Sequence, residues 1–152
     1  MIDDVIIKRL QTHCDERGFF REMIRVTDTY FDAGFGQLSH SLVNEGVLKA
    51  WHGHKLQTQW NYVVTGLIKV ALYDNRENSS TKGECMKFHC GDGEDPIIYM
   101  FPPGVLHGYK CIKGPMNIIY ITSGTYDINE EVRVSMDELS INYKFEEKHV
   151  DR

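Results

Sequence analysis

The sequence predicts an all-β domain, a small barrel or jelly roll that carries its ligand pocket in the barrel mouth. Three observations predict it. Short β-prone runs recur between turn residues along most of the 152-residue chain, and no window of a dozen residues sustains a helical period. His52 and His54 sit on alternate positions of an apolar run, so strand alternation points both rings to one face. About fifty residues on, Phe101-Pro102-Pro103-Gly104-Val105-Leu106-His107-Gly108-Tyr109 brings a third histidine next to a turn.

In chain order, Val5 to Leu10 and Phe19 to Val26 are the first β-rich runs. A weak 3.6-residue period over Thr27 to Ala33, with Thr27 or Asp28 as cap, allows one short helix. Leu38 to Val43 ends at the turn signal Asn44-Glu45-Gly46, and the histidine-bearing run to His54 follows. Gln59 to Val64 and Ile68 to Leu72 are separated by Thr65-Gly66, which reads as a turn, and Asp74 to Ser79 reads as a polar loop. Met86 to Phe88 ends at Gly91-Asp92-Gly93, and Ile97 to Phe101 ends at Pro102-Pro103-Gly104. Gly108 to Cys111 and Asn117 to Ile121 flank Lys113-Gly114-Pro115, again read as a turn, and Arg133 to Met136 is the last run. Two strand sets wrapped as a jelly roll account for this order. Residues 1–152 read as a single domain that ends in a frayed charged tail over 146–152.

Composition narrows the function. The net charge is −5, and the 17 Lys and Arg are scattered, so the basic footprint of a nucleic-acid binder is missing. An anionic ligand must then be held by a few local cations. No run reaches the length of a membrane span and the start is unlike a signal peptide, so the expected location is cytoplasmic, with no membrane partner. The four cysteines, Cys14, Cys85, Cys90 and Cys111, lack paired CxxC spacing and read as plain thiols. Cys85, His89 and Cys90 offer zinc-type donors, but no second pair completes the four-coordinate set, and the stretch reads as a strand beside a loop.

Two spaced motifs now carry a resemblance. Gly46, His52-x-His54, Gln59 and Gly66 have the spacing of the first cupin motif, and Pro102-x-Gly104-x-x-His107 that of the second. Within the cupins, Asp15 to Glu22, Gln37 with Ser39 and Ser41, and Val47-Leu48-Lys49 resemble the dTDP-4-dehydrorhamnose 3,5-epimerase family. Val70 to Arg76, Ser80 to Gly83, Pro103 to Tyr109 and Tyr120 to Tyr126 extend the likeness, in order, from about Ile7 to about Tyr143.

The resemblance implies a cupin jelly roll that epimerises a nucleotide-linked 4-keto-6-deoxyhexose in deoxysugar and polysaccharide biosynthesis. Such chemistry needs a base, an acid on the other face of the sugar, and something to stabilise the enolate oxygen. By position in the family, His52 is the base, Tyr126 the proton donor and His107 a substrate-facing histidine of the pocket. Arg17, Glu22, Gln37, Lys49, His54 and Gln59 are implied to bind substrate, Arg17 and Lys49 toward its anionic nucleotide; His40 is implied to line the site. The family also implies a homodimer with an exchanged N-terminal strand, and no cofactor.

This chain departs from the family at three places. The family's active-site lysine is Gln59, an uncharged amide, and the arginine of its Leu-Arg-Gly is Lys49. The C-terminal extension that supplies an aspartate to the catalytic histidine is absent, so His52 is expected to lack an orienting carboxylate. His52-Gly53-His54-Lys55 with Gln59 also resembles the sugar-nucleotide 3,4-ketoisomerases, in which His52 and His54 would shuttle one proton between C3 and C4. A further alternative is a metal-dependent cupin with His52, His54 and His107 as ligands, where Gln59 replaces the usual glutamate. A sugar-binding cupin without catalysis is the remaining alternative.

Overall fold

Two long strands organise the molecule, β6 (Gln59–Asp74) and β9 (Val105–Thr122), paired antiparallel along most of their length. The computed structural model describes residues 1–138, 140–145 and, for the backbone alone, 150–151. Before β6 come β1 (Ile6–Arg9), the hairpin β2 (His13–Asp15) and β3 (Gly18–Phe20), β4 (Gln37–Val43) and β5 (Val47–His54). Between and after the long strands lie β7 (Cys85–Gly91), β8 (Ile97–Phe101), β10 (Glu131–Arg133) and β11 (Val150–Asp151). Among the described residues nine strands form one continuous sheet in the order β1-β8-β6-β9-β5-β10, with β4 added to β9, β7 to β6 and β11 to β5. The β2–β3 hairpin forms a sheet of its own.

Two expected turns are instead bends within strands. Gln59 to Val64 and Ile68 to Leu72 belong to one strand, as do Gly108 to Cys111 and Asn117 to Ile121. Register shifts between Val63 and Ile68 show why: bulges turn the barrel corner without ending the ladder. Gly66 has φ +86, and a Cβ there would lie 2.7 Å from the Lys113 carbonyl oxygen and 2.8 Å from Met116 Cα. Only glycine meets both demands cheaply.

Other boundaries moved for packing reasons. The run Phe19 to Val26 stops as a strand at Phe20, and Met23 and Ile24 pack on Trp60 instead. The short helix is one 3-10 turn, Thr29–Phe31, with Asp28 before it and no side-chain cap bond. The last run expected over Arg133 to Met136 is β10, displaced toward Glu131. Of the expected charged tail, 146–149 and 152 lie outside the described residues, while Val150 and Asp151 pair with Val47 and Leu48.

Three apolar clusters hold the sheet. The barrel interior packs Ile68, Val70, Leu72, Tyr99, Phe101, Val105, Met116 and Ile118 among its buried members. On one outer face Trp51 packs with Leu48, Ala71, Leu106, Ile141 and Phe145, so the C-terminal segment covers it. On the other, Trp60 packs with Leu10, Ile98 and Met100 under Tyr30 and Phe31. Fully burying a large apolar side chain contributes about 1.5–3 kcal/mol, so these layers keep the two sheet faces in place around the barrel mouth.

A polar knot ties the N-terminus to the loop after β6. Asp74 is fully buried and accepts from Arg76 Nε and Nη2 at 2.9 Å each, from Ser79 Oγ at 2.6 Å and from Thr81 Oγ1 at 2.7 Å. Arg76 also reaches Asp4 at 2.8 Å. No helix among the described residues is long and apolar enough to cross a membrane.

Candidate active site

Strand alternation and one irregularity bring the polar side chains together. On β5, strict alternation would put Lys49 opposite His52 and His54. A register shift between Lys49 and His52 breaks the parity, and all three line one cavity of about 290 Å³. From β6 come Gln59 and Asn61, while Trp60 between them faces the outer cluster. β4 contributes Gln37, Ser39 and Ser41; β9 contributes His107, Tyr109, Tyr120 and Thr122. The loop into β10 adds Tyr126, Asp127 and Glu130, and β10 itself adds Glu131.

His52 is backed by a carboxylate. Its Nδ1 lies 3.3 Å from Glu131 Oε1, and Glu131 is steadied in turn by Arg133 at 3.2 Å. With Nδ1–H donating to Glu131, the tautomer leaves Nε2 bare. Burial draws the imidazole below its usual pKa, and the Glu131 carboxylate offsets only part of that pull. At neutral pH the ring is therefore uncharged and able to accept a proton.

His54 is fastened at both ends. Nδ1 lies 2.8 Å from Glu130 Oε2 and Nε2 lies 2.7 Å from Gln59 Oε1, while Gln59 Nε2 donates to Asn61 Oδ1 at 2.8 Å. The other Glu130 oxygen accepts from the backbone N–H of Leu56 and of Gln57, at 2.9 Å each. Burial alone would raise the Glu130 pKa; these hydrogen bonds outweigh it and hold the carboxyl below its usual value. His107 stacks on Phe101 with centroids 4.4 Å apart, and its Nδ1 is buried with no hydrogen-bond partner. Burial, reinforced by neighbouring His54 and His52, pushes its pKa well below that of a free imidazole, so it stays neutral.

Seven of the residues singled out by sequence line this cavity: Gln37, Lys49, His52, His54, Gln59, His107 and Tyr126. Tyr126 is anchored through its backbone N–H, which donates to Gln37 Oε1 at 2.9 Å, and its side chain is largely exposed at the rim. Three do not line it. His40 lies on the outward parity of β4, exposed and bonded to Asn117 Oδ1 at 2.9 Å, because Gln37, Ser39 and Ser41 take the inward positions. Arg17 pairs with Asp15 at the tip of the β2–β3 hairpin, and Glu22 pairs with Arg25.

Two expectations change. His52 does have a carboxylate, from β10 and not from a C-terminal extension, because the Glu131 side chain reaches the ring from the neighbouring strand. A three-histidine metal site does not fit: the His52 and His54 ring centroids lie 6.1 Å and 5.9 Å from that of His107, and both His54 nitrogens are taken by protein groups. Among the described residues no three His, Cys, Asp or Glu side chains converge as metal ligands. Glu130 and Glu131 escaped the sequence reading. The available signal was a pair of adjacent acids shortly after Tyr126, opposite two alternating histidines that needed partners.

A neutral imidazole with a carboxylate behind it and a phenol sharing its cavity are the groups that proton transfer at a carbon acid requires. The whole chain, residues 1–152, matches the family model described as dTDP-4-dehydrorhamnose 3,5-epimerase. The chain belongs to that family. It is 39% identical over 148 residues to the spore coat polysaccharide biosynthesis protein SpsL of Bacillus subtilis, covering 95% of this chain and 97% of the relative. It is 25% identical over 155 residues to the dTDP-4-dehydrorhamnose 3,5-epimerase of Methanothermobacter thermautotrophicus, covering 99% and 83%. In three dimensions it resembles the dTDP sugar isomerase of Desulfovibrio desulfuricans G20 with a TM-score of 0.85 and 28% identity, over 94% of this chain and 91% of that one. As a family member, the protein is an all-β cupin-type enzyme.

Proposed function

We propose that this protein epimerises a nucleotide-linked 4-keto-6-deoxyhexose at C3, C5 or both, in the making of a surface polysaccharide. The observation that carries this reading is the His52–Glu131 pair in one cavity with Tyr126. His52 Nε2 takes the proton from the carbon next to the ketone, and the C–H electron pair moves into the enolate. The Tyr126 hydroxyl then returns a proton to the opposite face, and the ketone re-forms. Lys49, Gln37 and His107 bind substrate in the same cavity. The shuttle of a 3,4-ketoisomerase is disfavoured because both His54 nitrogens are held by protein groups and neither is open to exchange a proton with substrate.

The protein works as a homodimer in the cytoplasm in this reading. Phe19 and Phe20 stand exposed on the β2–β3 hairpin, and Leu38 and Leu42 form an exposed apolar row on the outward side of β4. Such surfaces mark an interface. Arg17 and Glu22, which do not line this chain's own cavity, would then serve the partner's nucleotide. Static light scattering should give a dimer mass, and Phe19→Asp with Phe20→Asp a monomer; a wild-type monomer would refute it.

Incubation with dTDP-, GDP- and CDP-linked 4-keto-6-deoxyhexoses in deuterium oxide tests the activity. NMR should show deuterium at C3 or C5 with the 4-ketone retained. A 3-ketone would indicate the isomerase instead, and no uptake would indicate a binding protein.

A further inference from the structure

We propose that Glu130 and Gln59 hold His54 as an imidazolium at neutral pH, giving the cavity wall a positive charge at position 54. The role given to that charge, stabilising a developing enolate, rests on the epimerase reading; the protonation state itself does not.

The argument is one of donors and acceptors. Glu130 Oε2 faces His54 Nδ1 at 2.8 Å, and a carboxylate has only lone pairs to offer. Gln59 Oε1 faces Nε2 at 2.7 Å, and a carbonyl oxygen likewise only accepts. Both ring nitrogens must then carry hydrogen. The Gln59 amide is oriented by its other end, where Nε2 donates to Asn61 Oδ1 at 2.8 Å. Glu130 is buried, and a buried carboxylate is stabilised by an adjacent cation. Its Oε1 is already occupied by the Leu56 and Gln57 backbone N–H groups, which leaves Oε2 for the ring.

The surroundings suit one such charge. Lys49 is the one lysine or arginine lining the cavity among the described residues, and Gln59 itself is neutral. Glu131, on β10, is engaged with His52 and Arg133, so it does not compete for His54. His107 on β9 stacks parallel to His54, with centroids 5.9 Å apart and planes 18° apart, and a neutral His107 spares the pair a like-charge repulsion. With no free nitrogen, His54 cannot donate to substrate; it acts through its field and by fixing Gln59. It is a positioning residue.

Long-range proton–nitrogen spectra of the full chain with ¹⁵N-labelled histidine test this, with the His54 signals assigned from their loss in His54→Gln. The expected result is a wild-type His54 ring that carries hydrogen on both nitrogens at neutral pH, and a neutral tautomer in Glu130→Gln. With substrate, His54→Gln should lower kcat about 100-fold and change KM far less. A wild-type His54 with one bare nitrogen at neutral pH would overturn the proposal, as would an imidazolium indifferent to Glu130→Gln. Should that variant fail to fold, the wild-type spectrum at neutral pH decides alone. A chain that turns over no sugar nucleotide yet shows the imidazolium would refute the epimerase reading and keep the charge.

Discussion

Glu131 Oε1 lies 3.3 Å from His52 Nδ1, so the histidine assigned as base takes its orienting carboxylate from the strand beside it. That contact fixes which nitrogen faces the cavity, and it opposes the drop in basicity that burial causes.

The pH profile should follow from this. Burial lowers the His52 pKa, and the base works only when neutral, so the acid limb of kcat/KM should have its midpoint below about 6.5. In Glu131→Gln the stabilising anion is lost, so the limb should move to lower pH while kcat falls about 10- to 100-fold. A limb that moves upward would reverse the assignment. Initial rates across pH 4 to 8, roughly the range of imidazole titration, are the measurement.

Tyr126 at the cavity rim is assigned the return of the proton. Tyr126→Phe should keep solvent deuterium exchange into the substrate while product epimer formation falls by about 100-fold or more. NMR of the sugar ring protons separates the two readouts. Equal loss of both would place Tyr126 in binding and not in proton delivery.

The Asp74 knot should set acid stability. Arg76, Ser79 and Thr81 outweigh the burial that alone would raise the Asp74 pKa, and hold it far below its usual value. A carboxyl depressed in the folded state contributes stability above its unfolded pKa of about 3.9, and that contribution drains away as the pH falls below it. Asp74→Ala strands Arg76 and should cost about 3–5 kcal/mol near neutral pH. Urea titrations at pH 7 and about pH 3 should show the difference between wild type and variant shrinking in acid.

Gly66→Ala should destabilise by about 1–3 kcal/mol, since the backbone is left-handed there and the added methyl meets the Lys113 carbonyl and Met116. Thermal unfolding checks it. An unchanged midpoint would mean that the bend in β6 relaxes to accept a side chain.

Much of this was legible in the chain. Alternation across His52, Gly53 and His54 placed two rings in one cavity, and the same rule turned Trp60 away from Gln59. Alternation also argues against His40, which lies one residue off the inward parity of Ser39 and Ser41. Bulges were the hidden element. Gly66 and Gly114-Pro115 read as turns because local residue choice cannot tell a strand's end from its bend, and the shift between Lys49 and His52 defies simple counting. Glu130 and Glu131 stayed hidden for another reason. They meet His54 and His52 across 76 and 79 residues of chain, and only the pairing of β10 with β5 brings them together.

His52→Asn offers the most direct test of the chemistry. The variant and the wild type would each be incubated with a nucleotide-linked 4-keto-6-deoxyhexose in deuterium oxide, and deuterium at C3 and C5 followed by NMR. Wild type should exchange at one or both carbons, and His52→Asn should lose that exchange by about 100-fold or more while still binding the nucleotide. Exchange at the wild-type rate without the imidazole would show that another group removes the proton.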